Sequence, residues 1–73
     1  MGIRQIFGAN LKNLRRKRGL SQEELAHRAE IDRTYVSALE RGVYSVTIDI
    51  IERLAKVLKV EAADLLKKAD KSG

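Results

Sequence analysis

The chain has 73 residues, 15 Lys and Arg against 10 Asp and Glu, a net charge of +5 and no cysteine, which allows one small domain of marginal size and excludes a disulfide framework or a cysteine-ligated zinc site. Stability must therefore come from packed helices and, where those fall short, from a partner subunit. No apolar run nears the roughly 20 residues of a membrane span, and the start Met1-Gly2-Ile3-Arg4-Gln5-Ile6 fits neither a myristoylation signal nor a signal peptide, so a cytoplasmic location is the expectation.

Helical periodicity runs through the chain, there is no proline, and the expected fold is all-α. A first helix is predicted over about residues 3–17, with Ile3, Phe7, Leu11 and Leu14 on one face and Gly19 ending it in a left-handed conformation. The basic excess gathers here: Arg4, Lys12, Arg15, Arg16, Lys17 and Arg18 fall within the first 20 residues, which hold no acid. Such asymmetry points to a polyanionic partner or to a solvated helix face.

Ser21 and Glu24 form a capping box at the start of a second helix. Leu20 and Leu25 close a hydrophobic staple around it, and the helix ends near Ala29. A third helix starts after the cap Asp32, with Ile31 and Val36 as its staple, Val36 and Leu39 inward and Gly42 at its end. Only Glu30 and Ile31 separate the second helix from that cap, so two short helices must meet in a sharp turn. Thr47 caps a fourth helix, with Val46 and Ile51 as staple and Ile51, Leu54, Ala55 and Leu58 on its apolar face. A fifth, over about residues 61–68, presents Ala62, Leu65 and Leu66. The domain is expected over residues 1–69, with 70–73 a frayed tail.

Leu20-Ser21-Gln22-Glu23-Glu24-Leu25-Ala26, then Tyr35-Val36-Ser37-Ala38-Leu39-Glu40-Arg41-Gly42, and finally Ile51-Glu52-Arg53-Leu54-Ala55-Lys56-Val57-Leu58 together resemble the Cro/CI-type (XRE) helix-turn-helix proteins over about residues 6–68. The resemblance implies a compact five-helix bundle of the lambda repressor-like kind that binds double-stranded DNA. Two positions depart from the family pattern. Glu30 stands where a left-handed glycine is common, at a cost of about 1 kcal/mol, and the loop after the third helix reads Val43-Tyr44-Ser45. Within the family, Asp32-Arg33-Thr34-Tyr35 with Ser37 and Glu40-Arg41 looks like the small controllers of restriction–modification systems; phage-type repressors are the other reading.

The third helix is then the reading helix. With Val36 and Leu39 inward, Arg33, Thr34, Ser37, Ala38 and Arg41 are expected to face outward. Arg33, at the end nearest the bases, suits guanine O6 and N7. Thr34 suits a thymine methyl or a base edge, and Ser37 and Ala38 follow one turn on. The resemblance makes Gln22 a phosphate ligand, aided by the free amides of its helix end. Tyr35, Arg41, Tyr44, Ser45, Lys12 and Arg16 are candidates for backbone contact, with plain packing or solvation as the alternative for each. The resemblance also implies a structural ion pair between Arg15 and Glu40.

One reading helix covers few base pairs, so a homodimer on a palindromic operator is expected. Candidates for its interface are Ile50, Val57, Val60, Leu65 and Leu66, of which two or three are expected there and the others in the monomer core. Nothing in the sequence suggests catalysis, a cofactor or a small-molecule ligand. His27 stands alone, and Asp49, Glu52 and Asp64 make no metal cluster. The competing functions are a protein–protein adaptor or antitoxin-like module on the same fold, and non-specific nucleic-acid binding by the basic first helix.

Overall fold

A computed structural model describes residues 2–68. The expected ends of the domain at residue 69 and of the tail at 70–73 lie outside them. Among the described residues five helices follow one another: α1 (Ile3–Lys17), α2 (Gln22–Ala29), α3 (Arg33–Glu40), α4 (Ile48–Leu58) and α5 (Ala62–Leu66). α3 packs on both α1 and α2, α5 packs on α1 and α4, and α2 packs on α4. Phe7, Leu11, Leu25, Val36, Leu39, Ile51, Leu54, Leu58 and Leu65 fill the space between them.

The starts of α2, α4 and α5 show how local chemistry sets a helix's position. The Ser21 hydroxyl accepts from the Glu24 N–H at 3.0 Å while the Ser21 N–H donates to Glu24 Oε1 at 2.9 Å, completing the predicted capping box. Thr47 Oγ1 accepts from the Ile50 N–H at 3.1 Å. Asp32 holds the cap position of α3, yet its side chain bonds no backbone amide, contrary to expectation. Its carboxylate instead accepts the hydroxyl of Thr34. α5 is shorter than expected; it begins after Glu61, whose N–H donates to Asp64 Oδ2 at 3.1 Å.

Four helix ends share one solution. Gly19, Glu30, Gly42 and Lys59 all have positive φ. In each case the next residue sends its N–H five residues back: Leu20 to Arg15, Ile31 to Ala26, Val43 to Ala38 and Val60 to Ala55, all at 2.9–3.1 Å. These are Schellman turns. Glu30 takes the left-handed conformation (φ 60°, ψ 44°) read from its place in the motif; Lys59 does the same without a sequence signal.

Contacts made far along the chain hold the bundle together. Gly8 lies so close to the end of α3 that a Cβ there would sit 2.5 Å from the Leu39 carbonyl oxygen and 2.8 Å from that of Glu40. A glycine inside a helix costs roughly 1 kcal/mol against alanine; the close approach of two backbones requires it. Arg18 Nε donates to the Leu58 carbonyl at the end of α4 at 2.9 Å. Asn10 Nδ2 donates to the carbonyls of Leu65 and Lys67 at 2.9 and 2.7 Å. Both satisfy terminal carbonyls that a helix leaves open. Ile3, predicted on the inner face of α1, is instead exposed, because α1 overruns the core at its first turn. Among the described residues, no helix is long and apolar enough to cross a membrane.

Candidate nucleic-acid interface

The placement of α3 depends on one buried polar cluster. Arg15 Nε and Nη2 donate to Glu40 Oε2 and Oε1 at 2.6 and 3.0 Å, a two-pronged ion pair. Arg15 Nη1 also donates to the Leu20 carbonyl at 2.8 Å, and Gln22 Nε2 donates to Glu40 Oε1 at 3.1 Å. The Arg15 and Glu40 side chains keep 10% and 3% of their exposure. Hydrogen bonding to Glu40 raises the Arg15 pKa above its ordinary value, so the guanidinium keeps its charge. The cluster therefore ties the end of α1, the start of α2 and the end of α3 into one unit, and Gly8 sets the depth at which α3 sits.

Val36 and Leu39 point inward from α3, and Tyr35, on the flank of that face, is half-buried. At about 100° per residue, Arg33, Ser37, Arg41 and Thr34 fall within one arc on the other side. Arg33, Thr34 and Arg41 are exposed and Ser37 is half-buried. Ala38 departs from expectation: it keeps only 5% of its exposure, because the buried arc of this short helix reaches past Leu39. Ala38 is therefore withdrawn from the base-reading set. Arg41 Nε donates to the Ser37 carbonyl at 3.3 Å, which lays its side chain along this stripe.

The neighbouring candidates divide by position. Gln22 and Arg33 border one shallow depression of about 530 Å3, shared with Arg15, Ser21 and Glu23. Lys12 and Arg16 are exposed on α1. Helical spacing puts Lys12 on the flank next to Gly8 and Arg15, whereas Arg16 borders a depression shared with Asn10, Asn13 and Asp64 of α5. The Tyr35 hydroxyl donates to the Ser45 carbonyl at 3.4 Å, a long bond, and its ring lies 6.2 Å from that of Tyr44 at 45°. Tyr35 thus packs between α3 and the loop that follows it. Tyr44 and Ser45 are exposed beside it.

The proposed interface residues also separate. Leu65 keeps none of its exposure, since α5 is too short to face both ways and turns Leu65 into the core. It is withdrawn from the interface set. Ile50, Val57 and Val60 are half-buried against the core and Leu66 is exposed. Sequence reasoning passed over Ile48, which is 84% exposed at the first position of α4. Spaced three and seven residues before Ile51 and Ala55, it shares the helical period of the inner face, and periodicity gives no sign of its exposure. Among the described residues, no group of His, Cys, Asp or Glu is arranged to hold a metal.

Comparison with known proteins places this geometry. The helix-turn-helix family HTH_3 matches residues 11–65. The chain belongs to that family. Its sequence is 43% identical over 65 residues to the control protein C.BamHI of Bacillus amyloliquefaciens, covering 88% of this chain and 80% of that protein. Its fold matches the restriction–modification controller C.AhdI from Aeromonas hydrophila with a TM-score of 0.83 and 42% identity, over 85% of this chain and 94% of that one. It also matches the biofilm master regulator SinR, solved in complex with DNA, with a TM-score of 0.81 and 32% identity, over 84% and 98% of the two chains. The family is one of DNA-binding transcriptional regulators, not enzymes.

Proposed function

We propose that this helix-turn-helix regulator reads double-stranded DNA sequence-specifically as a homodimer, on a palindromic operator, in the manner of a restriction–modification controller. One observation carries the reading: Arg33, Thr34, Ser37 and Arg41 form an outward stripe on a helix whose orientation is held by the Arg15–Glu40 pair. A helix of this kind enters the major groove, where each base pair has its own donor and acceptor pattern. Arg33 takes a guanine through O6 and N7, and Thr34 and Ser37 take neighbouring base edges. Gln22 spends one amide proton on Glu40 and offers the other to a phosphate. Lys12, Arg16 and Arg41 add charge along the backbone, with Tyr44 and Ser45 beside them. The controllers C.BamHI and C.AhdI support the controller reading over a phage-type repressor. With no cofactor or small-molecule effector in this reading, occupancy follows protein concentration, inside the cell where the operator lies.

Selection of binding sites from random duplex DNA tests this directly. The expected result is an inverted repeat whose half-site centres lie about 10 base pairs apart, or a multiple of that. Arg33→Ala should cost roughly 1–3 kcal/mol on the best site and relax one base position in each half-site. Gln22→Ala should weaken all sequences alike, since phosphates carry no sequence information. Equal loss on operator and random DNA for Arg33→Ala would make Arg33 a phosphate ligand. Weak, salt-sensitive binding without any sequence preference would favour the adaptor or the non-specific reading.

A further inference from the structure

We infer that Asp32 fixes the hydrogen-bonding polarity of Thr34, so that Thr34 selects a base carrying an exocyclic amine, adenine or cytosine, at its place in the major groove. This rests on the DNA-reading function proposed above. A threonine hydroxyl has one proton and two lone pairs, and is ordinarily free to turn either way. Here the proton is committed, because Thr34 Oγ1 donates to Asp32 Oδ2. An ionised carboxylate can only accept, so this bond cannot reverse. The Thr34 oxygen is left with lone pairs alone to offer outward.

Asp32 is available for this because it does not cap. At an N-cap, an aspartate usually accepts from the backbone of the first turn, as Ser21 and Thr47 do on α2 and α4. The Asp32 carboxylate makes no such bond. Both Asp32 and Thr34 are exposed, at the end of α3 that comes nearest the bases in this family of folds. In the major groove, adenine N6 and cytosine N4 donate, while guanine O6 and thymine O4 accept. An acceptor-only Thr34 pairs with the first two and meets the second two lone pair to lone pair. Arg33, next to it, is donor-only. Two adjacent residues thus carry opposite polarity, and each excludes what the other accepts.

The test is site selection with the full chain and three variants: D32A, D32N and T34V. For the unsubstituted protein, one position in each half-site should favour A or C over G or T by about tenfold. D32A frees the hydroxyl proton, and the preference should shrink to within about threefold, while the guanine position assigned to Arg33 stays selective. D32N keeps an oxygen that accepts from Thr34 and should restore the preference. T34V removes the hydroxyl and should lose it. A preference unchanged in D32A overturns the inference. So does a thymine preference that persists in D32A, which would mark a methyl contact, or loss in both Asp32 variants with none in T34V, which would make Asp32 the reader. Selectivity elsewhere but none at this position defeats this inference alone; no selectivity anywhere defeats the underlying reading as well.

Discussion

Arg15 and Glu40 are both charged and both nearly out of water, and their joint burial does not by itself stabilise the fold. Desolvation of two ions offsets most of their attraction. Loss of one partner is another matter, because the survivor stays buried and unpaired. Arg15→Ala and Glu40→Ala should each cost about 3–5 kcal/mol in urea denaturation, and a double-mutant cycle should show strong coupling. Additive losses would mean that the two residues act independently. A second residue-scale effect is set by pH. The Ser21 backbone N–H, and then its hydroxyl, hold the Glu24 carboxyl below its ordinary value; the Lys67 ammonium and the Glu61 N–H do the same for Asp64. A lowered folded-state pKa contributes stability that is present above the unfolded value, about 4 for carboxylates, and is lost as pH falls through the folded value. Stability should therefore drop below about pH 4, and Glu24→Gln should make that drop shallower in denaturation midpoints compared at pH 6 and pH 3. An identical drop in Glu24→Gln would remove the capping box from the explanation.

At the scale of elements, the helix ends decide where α3 points, and two of them carry strain. Glu30 and Lys59 hold left-handed conformations that cost a side-chain-bearing residue about 1 kcal/mol. Glu30→Gly and Lys59→Gly should each raise stability by up to about that amount, or roughly 4–8 °C in Tm for a domain of this size. Unchanged or lower melting temperatures would show that chain entropy outweighs the relief of strain. The two positions also show what a sequence reveals. The strain at Glu30 was legible because the family that the motif resembles commonly has a left-handed glycine there, whereas nothing in a lysine announces a left-handed end. Ser21 with Glu24, and Thr47, were legible because a cap is local chemistry. Asp32 misled, because a hydroxyl two residues away competes for the same carboxylate. Ala38 and Leu65 misled because their burial depends on how far a neighbouring helix overlaps them, which periodicity does not encode. Gly8, Asn10 and Arg18 gave no signal at all, since their partners lie 31 to 57 residues away along the chain.

For the whole molecule, size argues for two copies. The described residues span 33 Å at most, and among them α3 is the one helix proposed to read bases, while successive major-groove faces lie about 34 Å apart. A single chain therefore reaches one face. Sedimentation equilibrium should find a dimer at binding concentrations, and charge at the exposed apolar residues, Leu66→Asp and Ile48→Asp, should shift it toward monomer without unfolding. Leu65→Asp should unfold the chain instead, which separates interface from core. Lys12→Ala or Arg16→Ala should reduce the salt slope of operator binding by about one for every phosphate that each protomer no longer neutralises. A monomer at all concentrations, or an unaltered slope, would count against the arrangement proposed.

The split between a buried clamp and an exposed stripe on the same short helix has a consequence for how such a protein changes over generations. Single substitutions at Arg15 or Glu40 cost a large share of the roughly 5–15 kcal/mol that holds a small domain together, so the clamp can alter only through two simultaneous changes. Substitutions at Arg33, Thr34 and Ser37 lie outside the core and cost within about 0.5 kcal/mol. On the proposed reading, operator preference drifts there one residue at a time while the scaffold stays fixed. In a library randomised at all five positions and sorted for folding alone, survivors should vary freely at 33, 34 and 37. At 15 and 40 they should vary only in matched pairs, and free, uncorrelated variation there would show that the clamp does not constrain the fold.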